Sequence, residues 1–152
     1  KGLSLNIFFQ WSYGNDVMNA NRIMFEGNAL NKNINQYRSY VDRWSPENQE
    51  SRNFRTGGQG PSGIYTSRTI EDGSFLRLKT LQLSYTLPRT WTNKLHLSRL
   101  EIFVSGQNLW TWTNYSGLDP EVSTRNSALT PGFDYSAYAR NRIFTGGIKL
   151  TF

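Results

Sequence analysis

The sequence predicts an all-β fold, an antiparallel transmembrane β-barrel of which these 152 residues would be the last few strands. Three observations lead there. The final stretch, RIFTGGIKLTF over residues 142–152, puts Phe144, Gly146, Ile148, Leu150 and Phe152 on one parity against Thr145, Gly147, Lys149 and Thr151. A barrel strand needs about 9–11 residues, apolar toward lipid and polar toward the lumen. Stretches of the same kind recur upstream, with aromatic residues gathered at one end. Between them the connections run long, short, long, which is the asymmetry of outer loops and periplasmic turns.

The first strand is read over residues 3–13, where Leu3, Leu5, Ile7, Phe9, Trp11 and Tyr13 face one way and Ser4, Asn6, Gln10 and Ser12 the other. Only Phe8 breaks the pattern. The same alternation would serve a core-facing strand of a soluble sandwich, but so long a stripe suits a membrane better than a small core. From about residue 14 to 72 the texture turns to Asn, Gly, Ser, Arg and Gln, far beyond the usual connection of about 4–6 residues. Within it, residues 19–44 carry a weak helical spacing through Ile23, Leu30, Ile34, Tyr37, Tyr40 and Val41. Ser45-Pro46-Glu47 would end that helix, and RTGGQGPS at 55–62 reads as loop.

The second strand is read over residues 75–87. Leu81, Leu83, Tyr85 and Leu87 share a face, whereas Leu76 and Leu78 lie on the opposite parity, which would aim Arg77 and Lys79 at lipid. Either a bulge near Lys79 to Leu81 switches the face, or the two cations lie at headgroup level, where charge costs little. Pro88 ends the strand. Residues 89–98 form a short polar turn holding His96, read as solvated. The third strand runs over about 99–112, with Leu100, Ile102 and Val104 continuing to Trp110 and Trp112. A second long loop precedes the last strand, about 142–152. If the last strand descends, Trp11, Tyr13, Trp110, Trp112 and Phe144 would all fall in the outer aromatic girdle.

Composition excludes several functions. With no cysteine and a single histidine, a thiol nucleophile or a multi-histidine metal site has no residues to use, and no enzyme or cofactor is expected. The net charge of +6 is scattered over loops without a basic run, so no nucleic acid is expected as a partner. No run of about 18 apolar residues offers a transmembrane helix. The chain starts at Lys1 without a Met or a signal segment, which suggests part of something longer. Asp119, Glu121 and Asp134 would offer oxygen ligands to calcium, although turn-forming Asp explains them better.

The segments EDGSFLRLKTLQLSYTLP (71–88), LEIFVSGQNLWTWTNYSGLDPEV (100–122), PGFDYSAYAR (131–140) and the closing TGGIKLTF resemble the C-terminal end of SusC/RagA-type TonB-dependent outer-membrane transporters of the Bacteroidota. The opening LSLNIFFQWSYGNDVMNANR is similar to the preceding strand and loop, so the resemblance spans almost the whole chain. It implies a multi-pass barrel of about 22 strands with a plugged lumen in the bacterial outer membrane. It also implies a SusD-like surface lipoprotein as a lid and a TonB–ExbB–ExbD system acting through a plug and TonB box that this chain does not contain. Four strands fall short of the smallest closed barrel, of about 8, so further strands are needed.

Nutrient import, TonB-dependent uptake of oligosaccharides or peptides, is the function that follows. Gly147, Leu150 and Phe152 would form the terminal signal read by the barrel assembly machinery. Trp44, Tyr115, Phe133, Tyr135 and Tyr138 would contact lid or ligand, unless they pack between loops. Two other classes use the same features: a structural or secretion-associated barrel that recruits partner proteins, and a soluble β-sandwich that binds carbohydrate. The sandwich would need turn signals every 8–12 residues, which the long excursion does not supply.

Overall fold

Residues 2–26, 34–55, 66–124 and 131–152 are described by the computed structural model of the chain. They form a strand unit (Lys1–Tyr13, Ser74–Thr113, Ala139–Phe152) and a loop unit (Gly14–Gly73, Asn114–Tyr138). In chain order the elements are β1 (Leu3–Ser12), β2 (Asp16–Asn19), α1 (Ala20–Phe25), β3 (Ile70–Asp72), β4 (Phe75–Thr86), α2 (Arg89–Thr92), β5 (Arg99–Thr113), β6 (Phe133–Asp134) and β7 (Ile143–Thr151). Short 3-10 turns lie at Arg38–Asp42, Ser67–Thr69 and Asn93–Leu95. The antiparallel all-β character expected from the alternation is what the chain adopts.

The strand unit is one sheet of four strands in the order β1-β4-β5-β7, each pair antiparallel. Its register answers the parity conflict in β4. Phe8 pairs with Thr80 and Phe9 with Leu78, while on the other side Thr80 pairs with Gln107 and Leu78 with Trp110. Lys79 is passed over in both ladders, so it is the extra residue of a bulge. One added residue changes the face of everything beyond it. Leu76 and Leu78 therefore join Leu81, Leu83 and Tyr85, and Arg77 turns to the opposite side. β5 answers the bulge with Asn108 in the left-handed region, φ 51°, and with Leu109 folded over Gly106.

The connection after Pro88 holds more structure than a polar turn. α2 starts directly after the proline, whose fixed φ and missing N–H suit a helix start. The turn closes at His96 in the left-handed conformation, and the Leu97 N–H donates to the Thr92 carbonyl at 3.0 Å. Thr92 is buried there.

The loop unit is built on a sheet of three strands, β3-β2-β6, in which β2 pairs antiparallel with β3 and parallel with β6. Val17, Ala20 and Tyr115 are its buried apolar side chains among the described residues. Gly132 makes the parallel join: with φ 66°, a Cβ on it would stand 2.7 Å from the Asp16 carbonyl oxygen, and its own carbonyl accepts the Met18 N–H at 2.7 Å. Among the described residues of 19–44, the helical spacing is realised at α1 and the 3-10 turn at Arg38–Asp42. Residues 27–33 lie outside the described residues, as does RTGGQGPS apart from Arg55. Gln36 and Tyr37 are not helical, and the Tyr37 N–H donates to the Phe25 carbonyl at 2.9 Å, which brings the chain back onto the end of α1.

Candidate functional site

The strand unit offers two chemically different faces. On one, the register sets Leu3, Tyr85, Ile102 and Ile148 in a row, then Leu5, Leu83, Val104 and Gly146, then Ile7, Leu81, Gly106 and Phe144. Phe9, Leu78 and Trp110 follow, and Trp11, Leu76 and Trp112 complete it. The band is apolar throughout yet open: Leu3 is 68% and Ile148 64% exposed. A soluble sheet of this size buries such a face.

The opposite face is polar. Asn6, Gln82, Ser105 and Thr145 form one row and Gln10, Arg77 and Thr111 another. Arg77 is buried, its Nε donating to Thr111 Oγ1 at 2.9 Å with the guanidinium over the Phe75 ring. Lys79 Nζ donates to Gln10 Oε1 at 2.7 Å. The bulge thus places both cations on the polar side. At the far end Glu101 is held between Arg99, at 2.7 Å, and Lys149, at 3.8 Å. Phe8 also stands on this side, which explains its break in the apolar alternation.

Of the girdle candidates, Trp11, Trp110 and Trp112 cluster at one end of the apolar band, and Trp110 and Trp112 lie ring to ring at 6.4 Å. Tyr13 stands exposed just beyond β1, whereas Phe144 lies further down the band, opposite Gly106. Leu150 pairs with Leu100, and Phe152 follows the end of β7, exposed. Gly147 has a packing role: it faces Phe103, and a Cβ on it would lie 2.7 Å from the Phe103 ring. Gly147→Val in the intact protein is expected to cost about 1–3 kcal/mol by overpacking. The folded fraction in a heat-modifiability gel would fall, and adding Phe103→Ala would restore part of it. An unaltered folded fraction would remove the packing role.

The loop unit is organised by Glu71 on β3. Its Oε2 accepts the Ser116 N–H at 2.9 Å, and its Oε1 accepts from Ser116 Oγ at 2.9 Å, Asn19 Nδ2 at 3.1 Å and Arg22 Nη1 at 3.2 Å. Burial alone would raise the Glu71 carboxyl. The Ser116 and Asn19 hydrogen bonds and the Arg22 charge outweigh it and hold the group below its ordinary value. Arg22 also pairs with Glu26 at 2.7 Å, and Arg68 approaches Glu26 at 3.6 Å. Beside this network Tyr115 is buried and donates to Asp134 Oδ2 at 2.6 Å. Burial first, then the Asp134 carboxylate, push its phenol far above the usual tyrosine range.

Among the aromatic contact candidates, Tyr115 is therefore interior to the loop unit, while Tyr138 (97% exposed) and Tyr135 stand free on the surface. Phe133 is half-buried in β6, and Trp44 is partly exposed near the bridge between Arg43 and Asn53. Asp119 Oδ1 accepts the Glu121 N–H at 2.9 Å, a turn-forming carboxylate. No group of three acidic, His or Cys side chains suited to a metal occurs among the described residues. A polar cleft of about 710 Å³ opens between α1 and the following loop, lined by Arg22, Glu26, Asp42, Glu50, Arg52 and Arg68 among others.

No protein-family model matches the sequence. TonB-dependent receptor P3 of Formosa agariphila is 36% identical over 157 residues, covering 100% of this chain and 15% of that protein. The TonB-dependent receptor SusC of Bacteroides thetaiotaomicron is 28% identical over 97 residues, 63% of this chain. Among solved structures, that of the RagAB peptide transporter superposes with a TM-score of 0.85 at 27% identity, covering 100% of this chain and 16% of that one. The chain belongs to the TonB-dependent receptors of the SusC/RagA type.

In such a receptor it spans about 15% of the length of its curated relative and contributes a four-stranded piece of wall. Two features of this TonB-dependent receptor segment escape its sequence pattern: the Glu71 hub, whose partners Asn19 and Ser116 lie 52 and 45 residues away, and the burial of Tyr115.

Proposed function

We propose that the strand unit is a length of wall in an outer-membrane importer that takes up oligosaccharides or peptides in a TonB-dependent manner. The observation that carries this is the pair of faces: an unbroken apolar band opposite a face bearing Arg77, Lys79, Gln10, Gln82 and Thr111. Lipid covers the first, and the second faces a lumen filled by a plug from elsewhere in the receptor. Trp11, Tyr13, Trp110 and Trp112 serve as the outer girdle, with Phe144 deeper in the band. The loop unit then stands outside the cell, where Tyr135, Tyr138 and Trp44 meet a SusD-like lipoprotein lid or the captured ligand. The barrel assembly machinery inserts the wall, and TonB–ExbB–ExbD draws on the plug. No catalytic step is assigned to any residue.

Cells carrying and lacking the intact receptor, each with and without a functional TonB, test the proposal when fed labelled oligosaccharides and peptides. Uptake should require both, and the receptor should sediment with outer membranes. Uptake independent of TonB, alongside partner proteins recovered on the receptor, would favour the secretion-associated barrel. A receptor polypeptide that stays soluble without detergent would sink both barrel readings.

A further inference from the structure

From the loop unit we infer that a hard cation, calcium first among them, binds between the side chains of Asn19 and Asp134. The two residues are register partners in the parallel pairing of β2 with β6, so their side chains leave the same face of the sheet. Neighbouring strands stand about 4.7–4.9 Å apart, close to twice the calcium–oxygen distance of about 2.3–2.6 Å. That spacing is compatible with one ion bridging oxygens carried by adjacent strands.

Those oxygens are available and enclosed. Asn19 is 1% and Asp134 2% exposed. The Asn19 amide nitrogen is committed to Glu71 Oε1 and Ser116 Oγ, which leaves its Oδ1 as the free end. Asp134 Oδ2 takes the Tyr115 hydroxyl. Both Oδ1 atoms are buried without a hydrogen-bond partner. Buried acceptors are ordinarily paired, and a buried carboxylate oxygen left without a donor is expensive. A cation shared by the two oxygens would remove that cost at both.

The surrounding charge agrees. Glu71 and Glu26 both pair with Arg22, Arg68 approaches Glu26, and Asp134 holds the Tyr115 hydroxyl. Burial, followed by these three carboxylates, raises the Tyr37 phenol against the lowering by Arg22. The cluster keeps a negative field for a cation to offset. Calcium suits a site of mixed amide and carboxylate oxygens with flexible geometry, whereas magnesium demands a near-ideal octahedron and holds its waters. Asp119 and Glu121 are not needed. The ion would fasten β6, which belongs to the second long loop, to β2 of the first, and it does not depend on what the receptor imports.

Terbium, a luminescent stand-in for calcium, reads the site in the intact receptor, purified in detergent and stripped with chelator. Tyr115 next to Asp134 sensitises its emission. The expected result is emission that calcium displaces, with apparent affinity about tenfold or more weaker in Asp134→Asn and unchanged in the control Asp42→Asn. Emission and displacement unchanged in Asp134→Asn would overturn the inference. Because that variant could disturb the loops, anomalous difference density from terbium-soaked crystals of the unaltered receptor gives a second reading. A peak between the two Oδ1 atoms supports the site. A water there, or terbium bound only elsewhere, overturns it.

Discussion

Val104→Arg in the intact receptor is expected to cost about 2–4 kcal/mol of barrel stability, the range for a cation placed near the bilayer midplane. Val104 lies in the middle of the apolar band, between Leu83 and Gly146. Its neighbour in sequence, Ser105, faces the other way, between Gln82 and Thr145. Ser105→Arg is therefore expected to change stability by less than about 1 kcal/mol, since charge on the lumen face stays hydrated. Both variants would be folded into lipid vesicles and compared by urea titration and by heat-modifiability. A large cost at 104 with little at 105 identifies the lipid side. Equal costs at both positions would mean that neither face touches lipid, and the wall assignment would fall.

The second large effect is expected from Glu71→Ala. It removes the acceptor shared by Ser116, Asn19 and Arg22, and Arg22 keeps only Glu26. Losing the acceptor of a partly buried ionic network costs about 2–4 kcal/mol, here confined to the loop unit. Hydrogen exchange should speed up in β2 and around Ser116 but not in β4 or β5. Uniform exchange across the loops and no change in their proteolysis would show that Glu71 holds nothing together. Acid should mimic the substitution in the unaltered receptor. The folded-state carboxyl lies below its ordinary value of 4.5, so its contribution is fully present above that value. It is lost as pH falls through the depressed one. Protection of β2 that persists to still lower pH would contradict the hub.

Much of the wall was legible in the sequence because a barrel strand repeats every two residues and needs no distant partner to announce itself. Leu3 to Trp11, and Phe144 to Leu150, show this directly. The β4 conflict was visible as a conflict, yet the choice between a bulge and headgroup-level cations needed the pairing with Phe8, Gln107 and Trp110. The loops obey no such period. Glu71 and Asn19, 52 residues apart, act together only because β2 and β3 pair, and Tyr115 meets Asp134 across 19 residues. The spacing at residues 19–44 suggested one helix, where the structure has a short α1 and a separate 3-10 turn. The reason is that Tyr37 closes back onto Phe25 instead of extending the helix.

The skipped residue at Lys79 works like a frameshift with no stop. Upstream of it the greasy positions of β4 are the even-numbered ones, and downstream they are the odd-numbered ones, although one strand runs straight through. Any method that scores a strict two-residue beat will cut this strand into two halves, each too short to cross a membrane, and undercount the wall. The same arithmetic governs tolerance to mutation. Deleting Lys79 would remove the extra residue, put the two halves back in phase and let β4 run opposite the strictly alternating β1 without a skipped position. A single deletion within regular β1 would instead turn the residues on one side of it to the wrong face.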